Sequence, residues 1–64
     1  MITAHDKLRC AERELALRRR VYPRWVNDGK ITHREARQEL DLMQAIADDY
    51  RKLADIEDQQ DRLL

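Results

Sequence analysis

Tyr22-Pro23-Arg24-Trp25-Val26-Asn27-Asp28-Gly29-Lys30-Ile31-Thr32-His33-Arg34-Glu35 contains the one proline and the one glycine of a 64-residue chain. Pro23 disfavours a helical conformation at Tyr22, and Asp28-Gly29 is a turn signal. Thr32 followed three residues later by Glu35 has the form of a capping box, with Ile31 placed before it for a hydrophobic staple. The chain is therefore expected to reverse near Gly29 and to start a second helix at Thr32. Proline is tolerated in a first turn, so Pro23 either kinks the first helix or opens a short extra turn through Trp25 and Val26; the kinked continuation is the preferred reading.

Outward from this break, the composition favours helix: Ala, Leu, Glu, Gln and Arg abound and β-branched residues are few. No strand is expected. Thr3 can cap a first helix while Asp6 complements its dipole. The expectation is an all-α, single-domain chain (1–64) forming a two-helix antiparallel hairpin, with helix 1 over about 4–26, a turn over 27–31 and helix 2 over about 32–62. At 1.5 Å per residue the second arm would span about 45 Å and the first about 30–35 Å.

Apolar residues recur at helical spacing. Leu8, Leu15 and Tyr22 with Ala4, Ala11 and Val26 mark helix 1. Ala36, Leu40, Met43, Ala47, Tyr50, either Leu53 or Ala54, either Ile56 or Glu57, and Leu64 mark helix 2. Two helices cannot enclose one another as four can, and a chain this short buries only about 60% of the surface it exposes when unfolded. Something must supplement the core. Cys10 is the only cysteine, so an internal disulfide is impossible, and His5, Cys10 and His33 are too scattered for a metal site. Self-association is what remains. A homodimeric four-helix bundle is the expected assembly, with no metal and no cofactor.

Charged residues make up 41% of the chain, which rules out a transmembrane span of about 20 apolar residues and any membrane partner of that kind. His5, Asp6, Lys7 and Arg9 interrupt the place of a secretory signal, and the lone thiol suits a reducing compartment. A cytoplasmic location is expected. Net charge is zero, yet residues 1–34 carry +5 and residues 35–64 carry −5. An antiparallel hairpin would neutralise much of this polarity by bringing Arg18–Arg20 near Glu35–Asp41 and Arg9 near Asp48 and Asp49. Same-helix pairs Glu14–Arg18, Asp48–Lys52 and Asp58–Arg62 would add a few tenths of a kcal/mol each. Asp55, Glu57, Asp58 and Asp61 would then overhang the start of helix 1 and fray unless a partner holds them, because acidic groups oppose the dipole at a helix C-terminus.

The densest feature is Arg18-Arg19-Arg20-Val21-Tyr22-Pro23-Arg24-Trp25. Aromatics and arginine dominate protein-binding hot spots, which makes Arg20, Tyr22, Arg24 and Trp25 the candidate partner-binding residues, together with the acidic stretch from Asp55 to Asp61. Guanidinium groups also suit phosphate, and aromatic faces stack on bases. Arg18, Arg19, Arg20, Arg24 and Lys30 are thus the candidate set for nucleic-acid or nucleotide binding, although a neutral chain is unlike a dedicated DNA binder. The bland alternatives are that Arg18–Arg20 are solvated or salt-bridged and that Tyr22 and Trp25 close the core. No catalytic residues are expected: there is no phosphate loop and no serine. His5 and His33 read as exposed polar residues and Cys10 as a small packing residue.

The segment Leu17-Arg18-Arg19-Arg20-Val21-Tyr22-Pro23-Arg24-Trp25-Val26, followed by Gly29-Lys30-Ile31-Thr32, Glu35-Ala36, Met43, Ala45-Ile46 and Asp49-Tyr50, resembles a group of short proteins encoded by bacteriophages and prophages of proteobacteria. The resemblance covers roughly residues 10–55 and carries no catalytic residues across. It implies a small non-enzymatic protein that binds and redirects a host protein, including proteins of host defence. A self-assembling subunit whose only partner is itself is the third reading.

Overall fold

The computed structural model describes the backbone of residues 1–63 and the side chains of residues 1–60. It contains two helices, α1 (Ala4–Asn27) and α2 (His33–Leu63), packed against each other as an antiparallel hairpin with no strand among the described residues. The hairpin measures 53 × 17 × 15 Å. Among the described residues, no helix is long and apolar enough to cross a membrane.

Each helix starts on a reciprocal cap. Asp6 N–H donates to Thr3 Oγ1 (3.1 Å) while Thr3 N–H donates to the Asp6 carboxylate (3.0 Å). Glu35 N–H donates to Thr32 Oγ1 (3.0 Å) and Thr32 N–H to Glu35 Oε1 (3.2 Å). Both boxes satisfy amides that have no partner inside the helix. The Asp6 carboxyl is held below its usual range, chiefly by the Thr3 backbone and hydroxyl donors.

Pro23 lies inside α1, which continues through it to Asn27. The proline lacks the amide that would reach the Arg19 carbonyl. The helix ends at Asn27, capped by Asp28, and the chain turns at Gly29, with φ +75°. There Lys30 N–H donates to the Trp25 carbonyl (2.9 Å) and Gly29 N–H to that of Val26 (3.1 Å). This is the Schellman arrangement, which satisfies the last carbonyls of a helix and reverses the chain.

The seam between the helices follows a 4-3-4-3 spacing. Ala4, Leu8, Ala11, Leu15, Arg18 and Tyr22 on α1 meet Ala36, Leu40, Met43, Ala47, Tyr50, Ala54 and Glu57 on α2, all buried or half-buried. Of the two alternatives on α2, Ala54 and Glu57 therefore face inward, whereas Leu53 and Ile56 are 48% and 49% exposed. Leu64 lies outside the described residues. The buried set is Ala4, Ala11, Leu15, Ala36, Ala47 and Ala54, so alanine supplies most of the buried positions, while the larger seam residues other than Leu15 are only half-buried.

Substituting Gly29 by alanine tests the turn. Nothing lies within 4 Å of the added methyl, so the cost is that of holding a β-carbon at positive φ, about 1 kcal/mol. Urea denaturation of Gly29→Ala should show a loss of that size with an unchanged m-value.

Candidate functional site

The two flanks of the hairpin differ in chemistry. On one flank the helices are laced by a polar ladder. The His5 ring lies 2.8 Å from Asp58, Arg51 donates to Glu12 (3.2 Å), and Arg19 donates to Gln44 (2.7 Å). Each rung steps seven residues up α1 and seven down α2, the repeat of an antiparallel coiled coil. Gln44 and Arg51 also donate to Asp48, at 3.0 and 3.5 Å, which ties the middle rungs together.

Several expected contacts are corrected here. Arg9 pairs with Asp6 on its own helix, not with Asp48 or Asp49, and Asp48 is paired by Arg51 in place of Lys52. The reason is register: the rungs set Arg51, not Arg9, against the middle of the acidic run. Glu14–Arg18 is formed at 3.0 Å, while the Arg62 side chain of the Asp58–Arg62 pair lies outside the described side chains. Glu57 and Asp58 do not overhang α1. Glu57 accepts from the Ala4 amide at 3.0 Å, and Asp58 engages His5, so two carboxylates meet the positive end of α1, where the dipole favours them. Asp55 is exposed, and the Asp61 side chain is outside the described set.

The hairpin end carries the aromatic–arginine cluster. Tyr22 and Trp25 sit 5.5 Å apart between ring centroids, tilted by 31°. Tyr22 is half-buried and Trp25 is 38% exposed. A groove of about 270 Å³ beside them is lined by Trp25, Ile31, Glu35 and Glu39. On the opposite side a wider cleft of about 640 Å³ runs over Tyr22, Pro23, Val26 and Leu40, rimmed by Arg34 and Arg37. Arg20 and Arg24 are exposed, with no ion pair among the described residues.

The five residues of the candidate phosphate-binding set do not form one patch. Arg18 is committed to the seam, where it donates to Glu14 and to the Glu39 carbonyl (3.3 Å) and lies 3.7 Å from the Glu39 carboxylate. Arg19 points the other way, to Gln44. Arg20, Arg24 and Lys30 are exposed. Of the partner-binding set, Tyr22 and Trp25 are brought together as a ring pair, while Arg20 and Arg24 are exposed on the same turns of α1.

The other flank carries one ion-paired cluster, Arg18 with Glu14 and Glu39, and a set of exposed aliphatic side chains. Leu42, Ile46, Leu53 and Ile56 follow a second stripe along α2 at 42–51% exposure, with Leu17 of α1 at 43%. Sequence reading did not isolate these residues. Their spacing of four, seven and three was present, but it interleaves with the stripe that forms the seam. Cys10, expected to pack, is exposed on the corresponding flank of α1. Among the described residues no group of His, Cys, Asp and Glu could hold a metal ion. Compared with protein-family models, with curated proteins and with solved structures, the chain matches none of them.

Two expectations follow from the ladder and seam. Arg18→Ala should cost about 1–3 kcal/mol in chemical denaturation, because it removes charge-assisted hydrogen bonds from a half-buried position, whereas Arg20→Ala should stay within about 0.5 kcal/mol. The His5 imidazole should titrate above the ordinary value of 6.5, because the Asp58 carboxylate accepts from and attracts its protonated form. Its contribution to stability is full below 6.5 and fades as pH rises through the raised value. Asp58→Asn should return the titration toward 6.5, measured by NMR on the ring protons.

Proposed function

We propose that this chain is a small helical binding protein of phage type, cytoplasmic and non-enzymatic, that pairs with itself and acts by occupying the surface of a host protein, such as one of the host's defence proteins. The observation that carries the binding reading is the hairpin end. A tilted Tyr22–Trp25 pair lies on the last two turns of α1, which also carry Arg20 and Arg24, two exposed guanidinium groups free of ion pairs among the described residues. Amphipathic aromatics next to arginine supply large contact area with directional hydrogen bonds, the chemistry of interface hot spots.

Self-pairing as a homodimeric four-helix bundle is supported by the poverty of the single-chain core. Alanine burial removes little apolar surface per residue, and the ordering of about 60 residues must be offset by it. The resemblance of residues 10–55 to phage and prophage proteins supports a host protein as the further partner. Nucleic acid is the lesser reading, because Arg18 and Arg19 of its proposed set are engaged between the helices on different sides.

Affinity capture from a proteobacterial host extract, with the wild-type chain beside Trp25→Ala and Arg20→Ala/Arg24→Ala, tests this. A specific host protein should be retained by the wild type and lost at least tenfold with Trp25→Ala. Binding of a nucleic acid that falls steeply with salt and with the arginine changes, while Trp25→Ala leaves it intact, would overturn the reading. Capture of nothing but the chain itself would reduce it to a self-assembling subunit.

A further inference from the structure

The unequal flanks point to how two copies meet, an inference that rests on the self-pairing proposed above. We propose that the open flank formed by Leu17, Leu42, Ile46, Leu53 and Ile56 is the surface on which a second copy docks. In that arrangement each α1 lies against the α2 of its mate, and both hairpin turns lie at the same end of the bundle.

The choice of flank follows from what each side offers. The ladder flank spends its side chains on one another: His5 on Asp58, Glu12 on Arg51, Arg19 on Gln44. Covering it would desolvate charges already paired, at a cost that ion pairs seldom recover. The other flank has a single ion-paired cluster across the seam, Glu14–Arg18–Glu39, and presents four large aliphatic side chains of α2, each more than 40% exposed, over about four turns of one helix. Large aliphatic side chains exposed along one face, broken here only at Asp49, mark an interaction site on a small protein.

The occupant follows from size and charge. The hairpin is 53 Å long and 17 Å wide, an outline of about 900 Å², so only a face-to-face contact along most of its length approaches the ~800 Å² that each partner contributes to a standard interface. A second hairpin, having the same length, can make that contact end to end. Residues 1–34 are net +5 and residues 35–64 net −5, so an α1 set beside a mate's α2 brings opposite charge together.

The orientation follows from Asp49. The stripe on α2 is nearly symmetric about this residue, with Leu42 and Ile46 before it and Leu53 and Ile56 after it. Stacking α2 on α2 about a perpendicular two-fold axis would set the two Asp49 carboxylates face to face. A two-fold axis parallel to the helices avoids this. It lays α2 antiparallel on the mate's α1, whose outer positions include Arg13 and Arg20, and it keeps every neighbouring pair of helices antiparallel. The two Tyr22–Trp25 ends then lie side by side and present a doubled surface to the partner.

Three measurements test the proposal on the full chain. Light scattering across a dilution series should give a dimer; a folded monomer at every concentration would overturn both the self-pairing and the docking surface. A photo-crosslinking residue at Asp49, on the open flank, should yield covalent dimer, and one at Asp55, on the ladder side, should not. The reverse pattern would reject this flank while leaving self-pairing intact. Spin labels on Asn27→Cys in a Cys10→Ser background should report an inter-copy distance well under half the 53 Å length of the hairpin. A distance near the full length would overturn the shared-end orientation.

Discussion

Alanine at the contact line is the constraint on which the remainder of the molecule depends. Ala4 and Ala11 on α1 and Ala36, Ala47 and Ala54 on α2 let two backbones approach with little side-chain volume between them. Close approach brings flanking polar groups within hydrogen-bond reach across the seam, which long core residues would hold apart. It also leaves the apolar account of a single hairpin thin. Precision of fit and shortage of burial have the same origin.

Ordering of the helix ends follows the same economy. Thr3–Asp6 and Thr32–Glu35 close both N-termini, Gly29 closes the C-terminus of α1, and Glu57 reaches across to the first amide of α1. In a chain with little core, terminal amides and carbonyls form a large share of the polar groups that need partners, and capping at about 1 kcal/mol each matters in proportion.

The helices and the turn were legible in the sequence because their signals are local: Pro23, Gly29 and the Thr32–Glu35 box act within a few residues. The helix pairing was legible in outline, since Leu8, Leu15 and Ala47 fall on plain stripes. Side-chain register was not. Leu53 and Ala54, like Ile56 and Glu57, are adjacent, and periodicity alone does not choose between a large aliphatic and a small or charged neighbour. The alanine seam made the choice, turning Leu53 and Ile56 outward and drawing Glu57 in. For the same reason Arg9 was matched with the wrong acids, and the engagement of Arg18 and Arg19 on different sides of the seam was hidden in what read as one basic run.

The polar ladder also works as a code for alignment. Sliding one helix along the other by a heptad would still set seam positions against seam positions, so the heptad pattern alone does not exclude it. One such slip would set Arg19 against Arg37 and His5 against Arg51; the opposite slip would set Glu12 against Asp58 and Arg19 against Arg51. Both misalignments juxtapose like charges, whereas the native alignment joins compatible partners at each rung. This proofreading is independent of the loop. It would operate unchanged between helices of two chains that had exchanged arms, so the choice between a closed hairpin and an exchanged one falls wholly on the few residues from Asn27 to Thr32.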